Sequence, residues 1–200
     1  MLEPQESGGT VMSGATGCLP ERRWRQSERI MHLTRAIERL EAQAVPITAL
    51  LADVTDEQAR WKPAPDQWSL LEVACHLLDE EREDFRQRLD LILRQPDAEW
   101  PPIDPEGWVT ARAYNQQDLA ATLAAWREER RRSLAWLRGL ANPDLDASRR
   151  HPAGFELRAG DLLAAWVAHD LLHLRQLVEL HYALTTRQAA PYAVAYAGDW

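Results

Sequence analysis

Three histidines in this sequence have the residue type and the spacing of metal ligands. His169 and His173 lie four residues apart, and because an α-helix turns about 100° per residue, both imidazoles would project from one face. That face also carries apolar residues at steps of three and four, namely Leu162, Trp166, Leu177 and Leu180. Both histidines therefore lie on a stripe that a helix buries, where a shared divalent ion is one explanation. The other explanation is that each ring forms hydrogen bonds with a carboxylate or with water.

His76 adds a third candidate ligand from a second helix. It shares a predicted buried face with Val73, Leu77 and Glu80. Three protein ligands plus a water molecule are typical of an open, catalytic zinc site, whereas a closed structural site uses four. Neutral imidazole also binds nickel, copper and iron, and among these ions we expect zinc or nickel.

Glu80 lies one helical turn after His76 and is the candidate for handling protons in a reaction. Its carboxylate could accept a proton, orient a histidine or complete the ligand set of a metal. The alternative is a solvated acidic face, since Glu80 lies within the acidic run at residues 79–84. The charge density of that run favours the solvated face.

The remaining groups that could do chemistry are predicted to have structural roles. Cys75 is expected to be a small core residue. His32, His151 and His181 are not expected to be ligands. The segment at residues 127–132 holds four arginines and two glutamates, which predicts a solvated helix face with internal charge pairs.

Long helices must position the three histidines. Hydrophobic periodicity predicts four of them, at residues 26–51, 70–94, 116–138 and 162–183. Pro46 is expected to kink or split the first helix, and Asn115 to cap the third. Long connections separate the last three helices, at residues 96–113 and 142–159. Four long helices with little strand signal predict an all-α four-helix bundle.

Both ends of the chain are predicted to lie outside the bundle, which we place at residues 23–185. Residues 1–22 are rich in glycine, serine and glutamate without periodicity, which predicts a disordered tail. Residues 186–200 form a second tail, whose aromatic residues Tyr192, Tyr196 and Trp200 could pack on the bundle.

Composition excludes several classes of partner. The 200 residues carry a net charge of −8, which makes the chain a poor candidate for binding nucleic acid. No run of about 18 apolar residues is present, so no transmembrane helix is expected. The two cysteines lie far apart in sequence and no secretory signal is visible, so we expect a protein of the reducing cytoplasm.

Taken together, these motifs resemble the DinB-like (DinB/YfiT) superfamily, whose members are classed as metal-dependent enzymes. The resemblance rests on WKPAPDQWS at residues 61–69, on the following helix with Glu72, His76 and Glu80, on Tyr114 and Arg131, and on AHDLLHLRQ at residues 168–176. It extends over about residues 26–183. It implies a four-helix bundle of up-up-down-down type, the metal ligands His76, His169 and His173, and a homodimer.

The resemblance also implies a kind of reaction, because relatives include S-transferases and an isomerase that use a low-molecular-weight thiol. We therefore expect a thiol-dependent S-transferase, in which the metal ion lowers the pKa of a bound thiol. One alternative is a metal-dependent hydrolase that uses metal-bound hydroxide. Another is a non-catalytic bundle that binds a metal or a ligand. Thiol dependence of turnover would separate the first two.

Overall fold

A computed structural model describes residues 32–95 and 97–198 of the chain. The predicted tail at residues 1–22, the start of the predicted first helix at Gln26, and Trp200 lie outside the described residues. Among the described residues, no helix is both long enough and apolar enough to cross a membrane.

The described residues form four long helical segments, as predicted. These are α1 (Leu33–Ala52), the consecutive pair α3 (Leu70–Glu83) and α4 (Phe85–Arg94), α6 (Leu119–Arg138), and α7 (Ala159–Ala189). Two short helices, α2 (Asp56–Arg60) and α5 (Pro105–Ala111), lie in the connections. Single 3-10 turns are found at Tyr114–Gln116 and Ala195–Ala197.

Within residues 32–95 and 97–198, strands are confined to one small hairpin between α6 and α7. Strand β1 (Ser148–Arg150) pairs antiparallel with β2 (Glu156–Arg158), and Arg149 lies opposite Leu157. This hairpin lies within the second long connection that the sequence predicts. The fold class is therefore all-α, as expected.

Local sequence signals explain most helix starts. Thr55 and Ser69 each form a capping box. Each side chain accepts a hydrogen bond from the backbone N–H of the third helical residue, Gln58 or Glu72. The side chain of that residue accepts one from the backbone N–H of the cap residue. Pro46 was expected to kink or split the first helix, and the structure shows that it does not split it, because α1 continues through Pro46.

The expectation that Asn115 caps the third long helix is wrong. Helix α6 is capped by Asp118, whose side chain accepts from the backbone N–H of Ala121, and not by Asn115. Asn115 instead accepts a hydrogen bond from the Ser69 hydroxyl (2.7 Å) and donates to the carbonyl of Arg60 (3.1 Å), so its side chain ties the α6 entry to α3.

The single predicted helix at residues 70–94 is interrupted at Asp84. The backbone there leaves helical geometry, with φ −115° and ψ −91°. The buried Asp84 side chain forms an ion pair with Arg88, one turn further along. A buried charge pair thus coincides with the break, where the sequence has neither proline nor glycine to signal one.

The apolar core divides into two clusters. The first joins the C-terminal part of α1, helix α3, the start of α6 and the C-terminal half of α7. The second joins the N-terminal part of α1, helix α4, the end of α6 and the start of α7. It follows that α1 and α7 run in one direction, and that α3, α4 and α6 run in the other.

In chain order the four segments therefore run up, down, down and up. The four-helix bundle and its long connections are as predicted. The order of helix directions differs from the implied up-up-down-down order, because the two consecutive segments that run parallel are the two in the middle of the chain. Consecutive parallel helices need a connection as long as the bundle. Residues 95–118 supply that connection between α4 and α6.

The C-terminal segment does not pack as predicted. Helix α7 extends to Ala189, beyond the predicted end at Ala183. Tyr192 and Tyr196 follow it and are exposed, so neither ring packs on the bundle.

Candidate metal centre

The structure brings the three predicted ligands together. The Nε2 atom of His169 lies 3.2 Å from Nε2 of His76 and 3.1 Å from Nε2 of His173. Within the described residues, these histidines form the one group of three or more potential ligands whose donor atoms all lie within 4.8 Å of one another. Two imidazole nitrogens bound to one tetrahedral zinc ion are about 3.3 Å apart. The donor set therefore fits a divalent ion.

Helix geometry explains this convergence. His169 and His173 are one turn apart on α7, and their ring centroids are 4.4 Å apart. His76 faces them from the middle of α3, which runs antiparallel to α7. A hydrogen bond of 2.8 Å joins His173 Nδ1 to the Gln176 side-chain oxygen. Since an amide oxygen only accepts, Nδ1 carries the proton and Nε2 is left with a free lone pair.

Burial keeps the cluster uncharged. Burial, and then the neighbouring His173, lower the pKa of His76 to about 3. The pKa of His169 falls to about 2, through burial and then through His173 and His76. Burial also lowers the pKa of His173. All three rings are therefore neutral at pH 7, which is the form that binds metal ions.

An open cavity of about 730 Å³ borders the cluster on the side of His173. Its wall includes His173, and Trp68 beside it stacks parallel to the His173 ring at a centroid distance of 6.3 Å. Asp66 and Glu179 line the cavity, and none of the described residues lining it is lysine or arginine. The cavity thus gives a small molecule access to His173, and its charged groups are carboxylates.

Glu80 is buried, so the expectation of a solvated acidic face is wrong. Its Oε1 atom has no hydrogen-bond partner among the described residues. Burial, and then the charge of Asp84, raise the pKa of Glu80 to about 8. Burial also raises the pKa of Asp84. Two buried carboxyl groups in contact can satisfy each other only by sharing a proton, so Glu80 is protonated at neutral pH and interacts with Asp84.

Asp79 and Glu81 of this run are buried, and each has a cationic partner from another element. Asp79 accepts hydrogen bonds from Arg112 and from the Tyr114 hydroxyl, both at 2.7 Å. Glu81 accepts from Nε and Nη2 of Arg130 at 3.0 and 2.9 Å. These partners lie 33 to 49 positions away in sequence. Nothing within the acidic run itself therefore indicates that Asp79 and Glu81 are buried.

Arg130 is the main buried residue near the histidines that the sequence did not reveal. Its guanidinium is buried and binds Glu81 on α3, Asp170 on α7 and the carbonyl of Leu40 on α1. Glu129 is also buried. The expected solvated face applies to Arg131 and Arg132, which are exposed and pair with the half-exposed Glu128. The arginine that the family resemblance singles out, Arg131, therefore lies outside the interior.

The residues expected to be structural lie apart from the cluster. Cys75 is buried, and burial raises the pKa of its thiol to about 11. His151 contacts Arg88 at 3.1 Å, and His181 contacts the carbonyl of Leu50 at 2.6 Å. None of these side chains belongs to the group of potential ligands.

Comparisons with known proteins agree with this architecture. The family model of the DinB superfamily matches residues 33–177. Among solved structures, YfiT from Bacillus subtilis is similar, with 21% identity and a TM-score of 0.69 over 82% of this chain and 92% of that chain. It is described as a probable metal-dependent hydrolase with an unusual four-helix bundle topology. No curated protein matches the sequence significantly.

Proposed function

The chain belongs to the DinB superfamily, and from that premise we propose that it is a divalent-metal-dependent enzyme whose ion is held by His76, His169 and His173. The observation that carries the proposal is the convergence of three neutral Nε2 atoms beside an open cavity. Zinc and nickel are the ions we propose, since both suit neutral imidazole.

A divalent ion bound by three imidazoles supplies one kind of chemistry: it lowers the pKa of a water or thiol at its remaining position, so that a nucleophile is available at neutral pH. The protein itself would hold the ion and orient the histidines that bind it. Gln176 fixes the His173 tautomer, and the Trp68 ring covers one side of His76 and His173. The cavity wall then places a small electrophile beside the ion.

We propose a low-molecular-weight thiol as the nucleophile, which makes the protein an S-transferase. A cavity of about 730 Å³ is within the range of small-molecule sites, and is large enough for a thiol and its acceptor together. Cys75, the one cysteine among the described residues, is buried with a raised pKa. No other cysteine lies among the described residues, and we propose that a co-substrate supplies the thiolate. Glu80, buried and protonated, is proposed as a proton donor or as support for the α3 ligand.

Hydrolysis is the second candidate, and the likeness to YfiT favours it, because that protein is described as a probable metal-dependent hydrolase. The same three histidines would serve, with water as the nucleophile. A non-catalytic role in binding a metal or ligand predicts no turnover of either kind.

The experiment uses full-length protein loaded with zinc or nickel, an aryl halide and an aryl ester as chromogenic electrophiles, and glutathione or cysteine as thiols. We expect turnover that requires both metal and thiol, and that falls at least 100-fold in His169→Ala. His151→Ala is the matched control and should retain activity. Metal-dependent ester cleavage without thiol would instead identify a hydrolase. No turnover with any combination would contradict an enzymatic role.

A further inference from the structure

The cavity beside His173 has two negative charges in its wall. Asp66, on the loop before α3, and Glu179, on α7, are its charged side chains. Neither lysine nor arginine occurs among the lining residues that the structure describes. A small molecule in this space therefore lies in a negative electrostatic potential, which favours cations and opposes the entry of anions.

The cations close to these carboxylates in sequence are engaged in ion pairs. Lys62 lies 3.2 Å from the buried Glu72. Arg175 lies 3.3 Å from Glu179 and neutralises part of its charge. The Asp66 carboxylate forms no ion pair or hydrogen bond with the residues that the structure describes. Asp66 is therefore the uncompensated charge at the cavity, and Glu179 adds a weaker one.

Aromatic and aliphatic side chains form much of the remaining wall. Trp68 and Tyr182 line the cavity together with Leu180 and Ala183. The faces of Trp and Tyr rings attract organic cations, and aliphatic side chains contact the apolar part of a ligand. Carboxylates together with aromatic rings thus form a wall that binds an organic ammonium group better than a neutral group of the same size.

The positions of the carboxylates assign this cation to the electrophile. In the function proposed above, the nucleophile is held at the three histidines, and neither Asp66 nor Glu179 belongs to that group of ligands. Glu179 follows His173 by six residues, which corresponds to about 9 Å along the helix axis. The two carboxylates therefore line the part of the cavity that remains for the second reactant.

We propose that the electrophilic substrate carries a positively charged nitrogen, as an ammonium or quaternary ammonium group, on an apolar body. This inference rests on the proposed function for the reacting end of the substrate, and it holds for thiol transfer and for hydrolysis alike. In either reaction the sulfur or oxygen of the nucleophile bonds to the electrophilic carbon and loses its proton to solvent, while the leaving group departs with the bonding electrons. The charged nitrogen takes no part in this exchange and only holds the substrate.

The first test measures binding without turnover. Metal-free full-length protein is titrated with benzylammonium, benzyl alcohol and benzoate, which share one ring and differ in charge, and binding is followed by NMR of the ligand signals. We expect benzylammonium to bind at least fivefold more tightly than benzyl alcohol, and benzoate to bind least tightly. The preference should shrink in about 0.5 M sodium chloride, because salt screens charges near a surface.

Two variants locate the preference in the cavity. Asp66→Asn should weaken benzylammonium binding at least threefold and leave benzyl alcohol binding unchanged. Glu179→Gln should do the same, because it removes one carboxylate and releases Arg175. Asp97→Asn is the matched control, since it removes an exposed carboxylate that does not line the cavity. Equal affinities for benzylammonium and benzyl alcohol in wild type, or a preference that survives in both cavity variants, would overturn the proposal.

The second test uses turnover and separates this proposal from the proposed function. Metal-loaded protein, with and without thiol, is given nitrophenyl esters of ε-aminocaproic acid and of heptanoic acid, which differ in a terminal ammonium group. We expect kcat/KM to be at least fivefold higher for the amino ester in wild type, and nearly equal for the two esters in Asp66→Asn.

Equal kcat/KM values for the two esters in wild type would overturn the cationic substrate and leave the metal-dependent reaction intact. Failure of both esters, with and without thiol, would count against the proposed function instead. The binding of benzylammonium to the metal-free protein would then decide the cation preference by itself.

Discussion

Nη1 of Arg130 lies 2.6 Å from Oδ2 of Asp170, the residue that directly follows His169. The same guanidinium also binds Glu81 on α3, five residues after His76. Arg130 therefore connects α6 to both helices that carry the histidines. Since neighbouring residues on a helix differ by about 100°, fixing Asp170 toward Arg130 also fixes the direction of His169. The geometry of the candidate metal centre thus depends on a buried ion-pair network outside it.

Replacing Arg130 should destabilise the fold strongly. Arg130→Ala leaves the carboxylates of Glu81 and Asp170 buried without their cation, and breaking a buried pair in this way costs about 3–5 kcal/mol. Urea unfolding of metal-free protein measures the loss. Arg131→Ala is the matched control, because Arg131 forms exposed pairs whose removal costs about 1 kcal/mol or less. Similar losses of unfolding free energy in the two variants would contradict a stabilising role for the buried ion pairs of Arg130.

The buried carboxyl of Glu80 should make stability depend on pH. Its pKa is raised from 4.5 to about 8 by burial and by Asp84, so the folded protein holds a proton that the unfolded chain releases. The stability this proton contributes is fully present below pH 4.5 and is lost as pH rises through 8. Glu80→Gln cannot ionise, so its unfolding free energy should fall less between pH 5 and pH 8.

The comparison of Glu80→Gln with wild type is made by urea unfolding at several pH values. We expect the gap between the two proteins to change by at least about 1 kcal/mol across this range, in favour of the variant at high pH. Glu38→Gln, at an exposed position on α1, should follow the wild-type curve. Parallel curves for wild type and Glu80→Gln would show that Glu80 is already ionised in the folded protein.

The hydrogen bond from His173 Nδ1 to Gln176 should contribute to metal affinity. Partners of this kind fix the tautomer of a metal-binding histidine, and their loss weakens metal binding about 10- to 100-fold. Gln176→Leu should therefore raise the metal dissociation constant by that factor, measured by competition with a chromophoric chelator. Gln188→Leu, exposed near the end of the same helix, is the control. Equal metal affinities in the two variants would show that the Gln176 side chain does not contribute to metal binding.

Much of the site follows from local sequence because helical periodicity alone decides which side chains share a face. His169 and His173 are four residues apart on a stripe of apolar residues, and His76 lies on the buried side of α3, so their convergence required only that the two helices pack together. The capping boxes at Thr55 and Ser69 are also local, since each involves residues three apart.

The errors arose where a distant partner decides the outcome. Asp79 and Glu81 lie in an acidic run that looks exposed, yet each is buried against an arginine that is distant in sequence, Arg112 and Arg130 respectively. Glu80 is buried in contact with Asp84. Arg130 and Arg131 are adjacent and identical in type, so composition could not show which one is buried. Asn115 and Asp118 are both good N-cap residues, and only the contacts of Asn115 with Ser69 and Arg60 assign the cap to Asp118.

Metal content tests the central claim most directly. Protein purified without added metal, and again after reconstitution with zinc or nickel at neutral pH, is measured by elemental analysis for wild type, His173→Ala and His151→Ala. We expect about one divalent ion per chain in wild type and His151→Ala, and a loss of the ion in His173→Ala. A wild type that holds no metal even after reconstitution would contradict the account, and the three histidines would then be core residues.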